Sequence, residues 1–122
     1  MESLLVVCLC ATWCNTCTEF QRTFDELARL RPDARFAWLD LDDDSDLVGD
    51  ADVENFPTLA VFRGDAPLFY GVTMPQPGVV ERTLAYLERP DAAAIAVPAD
   101  IAGLPQALRV RPERGRPGPR HG

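Results

Sequence analysis

Leu4-Leu5-Val6-Val7-Cys8-Leu9-Cys10-Ala11 runs directly into Thr12-Trp13-Cys14-Asn15-Thr16-Cys17. The first eight residues are an unbroken apolar run, β-branched at Val6 and Val7 and free of helix breakers. Such a run suits a strand buried on both faces, as in a parallel sheet, and is far short of the roughly twenty residues of a membrane helix. Beyond Cys14 the period changes. Phe20, Phe24, Leu27 and Ala28 recur at helical spacing, Arg29 and Arg31 suit the negative end of a helix dipole, and Pro32 stops the helix.

The strand-to-helix junction therefore carries a C-x-x-C pair. At a helix start, unpaired backbone N–H groups and the dipole favour an anion, so Cys14 is expected to ionise more readily than an ordinary thiol. Cys17 follows one helical turn later, close enough to close a small disulfide ring with Cys14. A dithiol of this kind can attack a partner's disulfide through Cys14 and resolve the mixed disulfide through Cys17.

Outward from this junction, Arg35 to Leu41 reads as a second strand, Ser45 to Ala51 as a short helix, and Thr58 to Phe62 as a third strand. Gly64-Asp65 is a turn, and a turn so short makes Leu68 to Val72 antiparallel to the strand before it. Gln76 to Arg89 is helical again, with Val80, Leu84 and Leu87 on one face, and Pro90 ends it. Ala92 to Ala102, split by Pro98, reads as a small helix or a strap. Arg109 to Gly122 holds three Pro, three Gly, five Arg and one apolar residue, Val110, which predicts a flexible tail. One domain over residues 1–105, with its core at 3–89, and a tail over 106–122 is the expected organisation.

Composition narrows the function. In 122 residues, 47% hydrophobic and 25% charged residues exclude a mainly disordered chain, a collagen-like repeat and a coiled coil. A net charge of −7 disfavours nucleic acid as a partner. The four cysteines fall within ten residues, so they cannot staple distant segments as a secreted framework does. Met1-Glu2-Ser3 lacks the basic start of an export signal, and a reducing cytoplasm is the expected compartment. The acidic stretch from Asp40 to Asp52 lacks the calcium-loop spacing and reads as a solvated face. The only histidine, His121, lies in the tail, away from any nucleophile. Cys8 and Cys10 alternate on one strand face and read as buried thiols inside the sheet, away from Cys14; this argues against one four-thiolate metal site.

Trp13-Cys14-Asn15-Thr16-Cys17 at this junction, with Phe56-Pro57-Thr58 downstream, resembles the thioredoxin superfamily. Pro57 stands 43 residues after Cys14, close to the family's spacing for its cis-proline. Leu59 to Gly64 is similar to the family's hairpin strand and turn, and Gly71 to the glycine that lets a substrate approach. The resemblance implies a thioredoxin-like α/β fold, with about four strands in a mixed sheet flanked by helices and without the family's usual first strand and helix. The second strand would then stand at a sheet edge, to be covered by residues 92–102 or by a second copy of the chain.

By the same resemblance, Cys14 is the nucleophile and Cys17 the resolving cysteine, while Trp13, Phe56, Pro57 and Gly71 line the substrate groove. The implied activity is thiol–disulfide oxidoreduction on protein disulfides, with no organic cofactor and no metal. Implied partners are thiol or disulfide client proteins and an electron donor such as a thioredoxin reductase, with no membrane, the chain acting as a monomer or an edge-paired homodimer. The alternative is a non-catalytic interaction module or assembly chaperone of the same fold. Two departures from the family pattern favour it: Cys8 stands where a buried acid is usual and Trp38 where its lysine partner is. Arg22, in place of a helix-kinking proline, implies only a straighter helix.

Overall fold

The computed structural model describes residues 3–11, 15–41, 43–49, 57–73 and 76–114. Its elements are β1 (Leu4–Cys10), α1 (Asn15–Leu30), β2 (Arg35–Asp40), α2 (Ser45–Val48), β3 (Thr58–Arg63), β4 (Ala66–Val72), α3 (Pro77–Leu87), α4 (Ala99–Ala102) and α5 (Leu104–Val110). The strands form one sheet in the order β2-β1-β3-β4. β1 pairs parallel with β2 and antiparallel with β3, and β3 pairs antiparallel with β4. This is the thioredoxin-like mixed sheet flanked by helices that the sequence predicts.

Strand alternation sorts β1 between two cores. Val6, Cys8 and Cys10 face α1 and α3 together with Phe20, Phe24, Leu27, Trp38, Val80 and Leu84. Val7 and Leu9 face the other way, against Ile101, Leu104 and Leu108. That double burial is why the strand reads as continuously apolar. On the first face Phe24 meets Phe36 and Trp38 edge-on, with ring centroids 5.2 and 5.5 Å apart, a favoured aromatic geometry. Gly64 takes a positive φ of 60° in the β3–β4 turn, a conformation that suits glycine.

Three expectations are corrected here. Residues 92–98 do not cover the β2 edge. The chain leaves α3 beside β3, where Arg63 donates to the carbonyls of Leu87 and Arg89 at 2.8 and 3.1 Å, so the near edge of the sheet is β4. The strap passes there, with the Ile95 N–H donating to the Pro67 carbonyl at 2.8 Å, and carries the chain to the opposite face.

The packed body also extends beyond residue 105, because Leu108 of α5 is fully buried. Ile101, Leu104 and Leu108 form a helical stripe across a stretch whose prolines and glycine read as breakers. Pro105 lies in the first turn of α5, where its missing N–H costs nothing.

Finally, the acidic stretch is not wholly solvated: Asp40 and Asp44 are buried. The Asp40 N–H donates to Asp44 Oδ2 at 2.8 Å, and the Arg114 guanidinium donates to Asp44 and Asp46, both at 2.8 Å. Hydrogen bonding from Arg114 holds the Asp46 carboxyl below the usual aspartate range, and its two carboxylate partners keep Arg114 firmly protonated. No helix among the described residues is long and apolar enough to cross a membrane.

Candidate active site

Strand directions bring the expected site residues to one end of the sheet. β1 and β2 run parallel and both end there, at Cys10 and Asp40, which are register partners. β3 runs the opposite way and begins there: Leu9 of β1 pairs with Thr58, and Pro57 precedes it. β4 returns to the same end, where Leu59 pairs with Gly71. α1 starts from this end, and Cys17 lies in its first turn.

Of the expected residues, Cys17, Pro57 and Gly71 lie within the described structure. Trp13, Cys14 and Phe56 lie outside the described residues, as does any Cys14–Cys17 ring. Pro57 is buried, and its carbonyl accepts the Thr73 N–H at 3.0 Å, tying the start of β3 to the segment leaving β4. Gly71 is half-buried. Among the described residues, a Cβ added there would meet the Phe69 ring at an ordinary 3.7 Å.

Cys17 is 2% exposed and points into the core beneath the helix. It continues the apolar stripe of Phe20, Phe24 and Leu27, which turns it toward the β1 face that carries Cys8 and Cys10. The Cys10 and Cys17 sulfurs are in bonding contact as a disulfide, with Cα atoms 5.8 Å apart, inside the range such a bridge requires.

This corrects the reading of Cys10 as a thiol set apart from the redox motif, whereas Cys8 is the buried thiol expected of it. The Cys8 sulfur lies 3.5 Å from that of Cys10. With Cys10 in a disulfide, the proton of that contact belongs to Cys8, whose S–H donates. The signal was present in the sequence: C-x-C alternation fixes one face of the strand, and Cys17 falls in phase with the helix's buried stripe.

Asp40 is a second residue that sequence reading passed over. It is 2% exposed, stands beside Cys10 in the register, and its Oδ1 accepts the Asp43 N–H at 3.0 Å. The end of β1 is thus bordered by a buried carboxyl from the neighbouring strand, although Cys8 replaces the acid on β1 itself.

Comparison with known proteins places this arrangement. Residues 1–74 match the family model described as Thioredoxin. Thioredoxin-2 of Saccharomyces cerevisiae is 36% identical over 63 residues, which cover 52% of this chain and 61% of that protein. The chain spans about three-fifths of the length of the first curated relatives it matches. Among solved structures, thioredoxin from Trypanosoma brucei brucei superposes with a TM-score of 0.61 at 28% identity, covering 70% of this chain and 75% of that one. The germline-specific thioredoxin Deadhead of Drosophila melanogaster superposes with a TM-score of 0.62 at 26% identity, covering 70% and 82%.

Proposed function

The chain belongs to the thioredoxin family, and on that premise we propose that it is a thiol–disulfide oxidoreductase acting on protein disulfides, with Cys14 as nucleophile and Cys17 as resolving cysteine. The observation that carries this reading is the burial of Cys17 in the first turn of α1, at the sheet end where Pro57 and Gly71 also lie. A sulfur so enclosed is shielded from a folded client, which leaves the first attack to the cysteine three residues upstream.

The cycle balances as two exchanges. The Cys14 thiolate attacks one sulfur of the client disulfide; a Cys14–client bond forms, the client S–S bond breaks, and one client thiolate leaves. The Cys17 thiolate then attacks Cys14 Sγ, closing the Cys14–Cys17 disulfide and releasing the second client thiolate. Two electrons pass to the client, and an external dithiol donor such as a thioredoxin reductase returns them. α1 helps by presenting its N-terminal N–H groups to developing thiolate charge. Trp13, Phe56, Pro57 and Gly71 form the surface where the client strand lies. The work is done in the cytoplasm by a monomer or by a dimer paired through β2, which ends the sheet.

The test is a Cys17→Ser chain incubated with disulfide-bearing proteins, followed by non-reducing electrophoresis. Covalent adducts that vanish with dithiothreitol, and disappear in the Cys14→Ser/Cys17→Ser chain, are expected. Absence of adducts, together with partner association that survives loss of both thiols, would make the protein a binding module instead.

A further inference from the structure

Cys17 has two cysteines competing for one bond. Cys14 stands three residues before it in the chain, and Cys10 is bonded to it across the strand–helix interface. A sulfur holds one disulfide partner at a time, so the two pairings exclude each other. Both sulfurs of the inner pair are enclosed, at 1% and 2% exposure, and Cys8 beneath them is fully buried.

We propose that Cys10 is a second partner for Cys17, and that the protein has an inner oxidised form in which the Cys10–Cys17 disulfide is closed and Cys14 carries a thiol. This rests on the reading of Cys14 and Cys17 as the working pair. The forms interconvert by one exchange. The Cys10 thiolate attacks Cys17 Sγ of the Cys14–Cys17 disulfide; the Cys10–Cys17 bond forms, the Cys14–Cys17 bond breaks, and the electron pair leaves on Cys14. Disulfide number and oxidation state are unchanged, and the proton given up by Cys10 is balanced by the one Cys14 takes up.

Cys8 supports the step from 3.5 Å, its S–H donating to the Cys10 sulfur and favouring the thiolate that must attack. A disulfide enclosed between β1 and α1 is shielded from a reductant's thiolate, because exchange requires access to a sulfur. The inner form therefore stores the oxidising equivalent out of reach. It also leaves Cys14 able to enter a mixed disulfide but without a resolving partner.

The test poises the full chain in a dithiothreitol redox buffer, quenches with acid, labels thiols with N-ethylmaleimide and weighs the intact protein. Four cysteines make the counts unambiguous. Cys14→Ser is expected to close a disulfide and take one label, on Cys8. Cys10→Ala/Cys14→Ser is expected to close none and take two. Three labels on Cys14→Ser across the whole buffer range would overturn the proposal, as would a disulfide persisting in the double variant.

Because a variant can distort the site, the unaltered chain is read as well. Trypsin leaves all four cysteines on the peptide ending at Arg22, and fragmentation locates the labels. Labels on Cys8 and Cys14 support the inner form; labels on Cys8 and Cys10 throughout exclude it. Failure of the Cys17→Ser capture with the inner disulfide present would sink the oxidoreductase reading and leave this disulfide standing. Capture without the inner disulfide would do the reverse.

Discussion

The two faces of the sheet are filled with different material. The α1–α3 face holds Phe20, Phe24, Phe36, Trp38 and the three buried sulfurs, whereas the α4–α5 face is mainly aliphatic, with Ile101, Leu104 and Leu108 against Val7, Leu9 and Leu39. The first face is closed by helices that follow their strands closely in sequence. The second is closed by the end of the chain, after a strap has carried it past β4. The described sulfurs lie where helix and strand are adjacent along the chain, and the remote segment serves as cover for the face that carries no cysteine among the described residues.

The sharpest way to break that comparison is to end the chain at Gly103. If the last helix is a structural cover, losing Leu104 and Leu108, both fully buried, removes about 5 kcal/mol or more, much of a small domain's total stability. Urea unfolding followed by circular dichroism reads this directly; an unchanged midpoint would return residues 104–110 to the status of a tail. Leu108→Ala alone should cost about 3 kcal/mol.

On the sulfur-bearing face, Phe24→Ala should cost about 4 kcal/mol, since the ring is fully buried and meets three aromatic neighbours. Thiol labelling in the native state adds a sharper readout: loosening this face should speed modification of Cys8, whereas Leu108→Ala should alter it far less. Equal acceleration by both would show that the two cores open together.

Gly49, just after α2, takes φ 65° and ψ −138°, and a Cβ there would come within 2.7 Å of the Asp100 carboxyl on α4. Gly49→Ala should lose about 2 kcal/mol through backbone strain and collision. Adding Asp100→Ala should recover the collision part only, and complete recovery would argue against backbone strain.

The smallest effect is expected from Arg114→Ala, about 1 kcal/mol through the lost pairing with Asp44. Asp46 adds a pH signature. Its carboxyl is held below its unfolded value of 3.8, so its stabilisation is complete above that pH and drains away as pH falls through the lower folded value. Acid titration of unfolding midpoints should show this loss in the parent chain and a weaker one in Arg114→Ala.

Legibility in the sequence follows the same division. β1, α1, β2, β3, β4 and α3 were readable because each buries a face whose period, 2 or 3.6, survives in the residue order. α5 was hidden because Pro98, Gly103 and Pro105 punctuate a short stripe, and Arg-rich sequence follows it. At the site, Cys17, Pro57 and Gly71 were legible from motif and spacing. The Cys10–Cys17 bond was not, because strand alternation and helical phase each place one sulfur while only the packing of α1 on β1 shows that they meet. The buried carboxyl of Asp40 was concealed by its neighbours: Asp42, Asp43, Asp44 and Asp46 make the stretch read as one solvated surface.

Like β3, β1 is laced to neighbours along both sides, which makes it an unyielding strand. Cys10 is anchored in that unyielding strand, so the geometric difference between bonded and separated sulfurs must be accommodated mostly by the opening turn of α1. α1 has sixteen residues and a length of about 24 Å. Its far end is moored, through Arg31 and Glu88, to the close of α3. A tilt begun at the sulfurs would thus reach the opposite pole of the molecule through a stiff rod, and amide exchange around Glu88 would register the electron count of a pair it never touches.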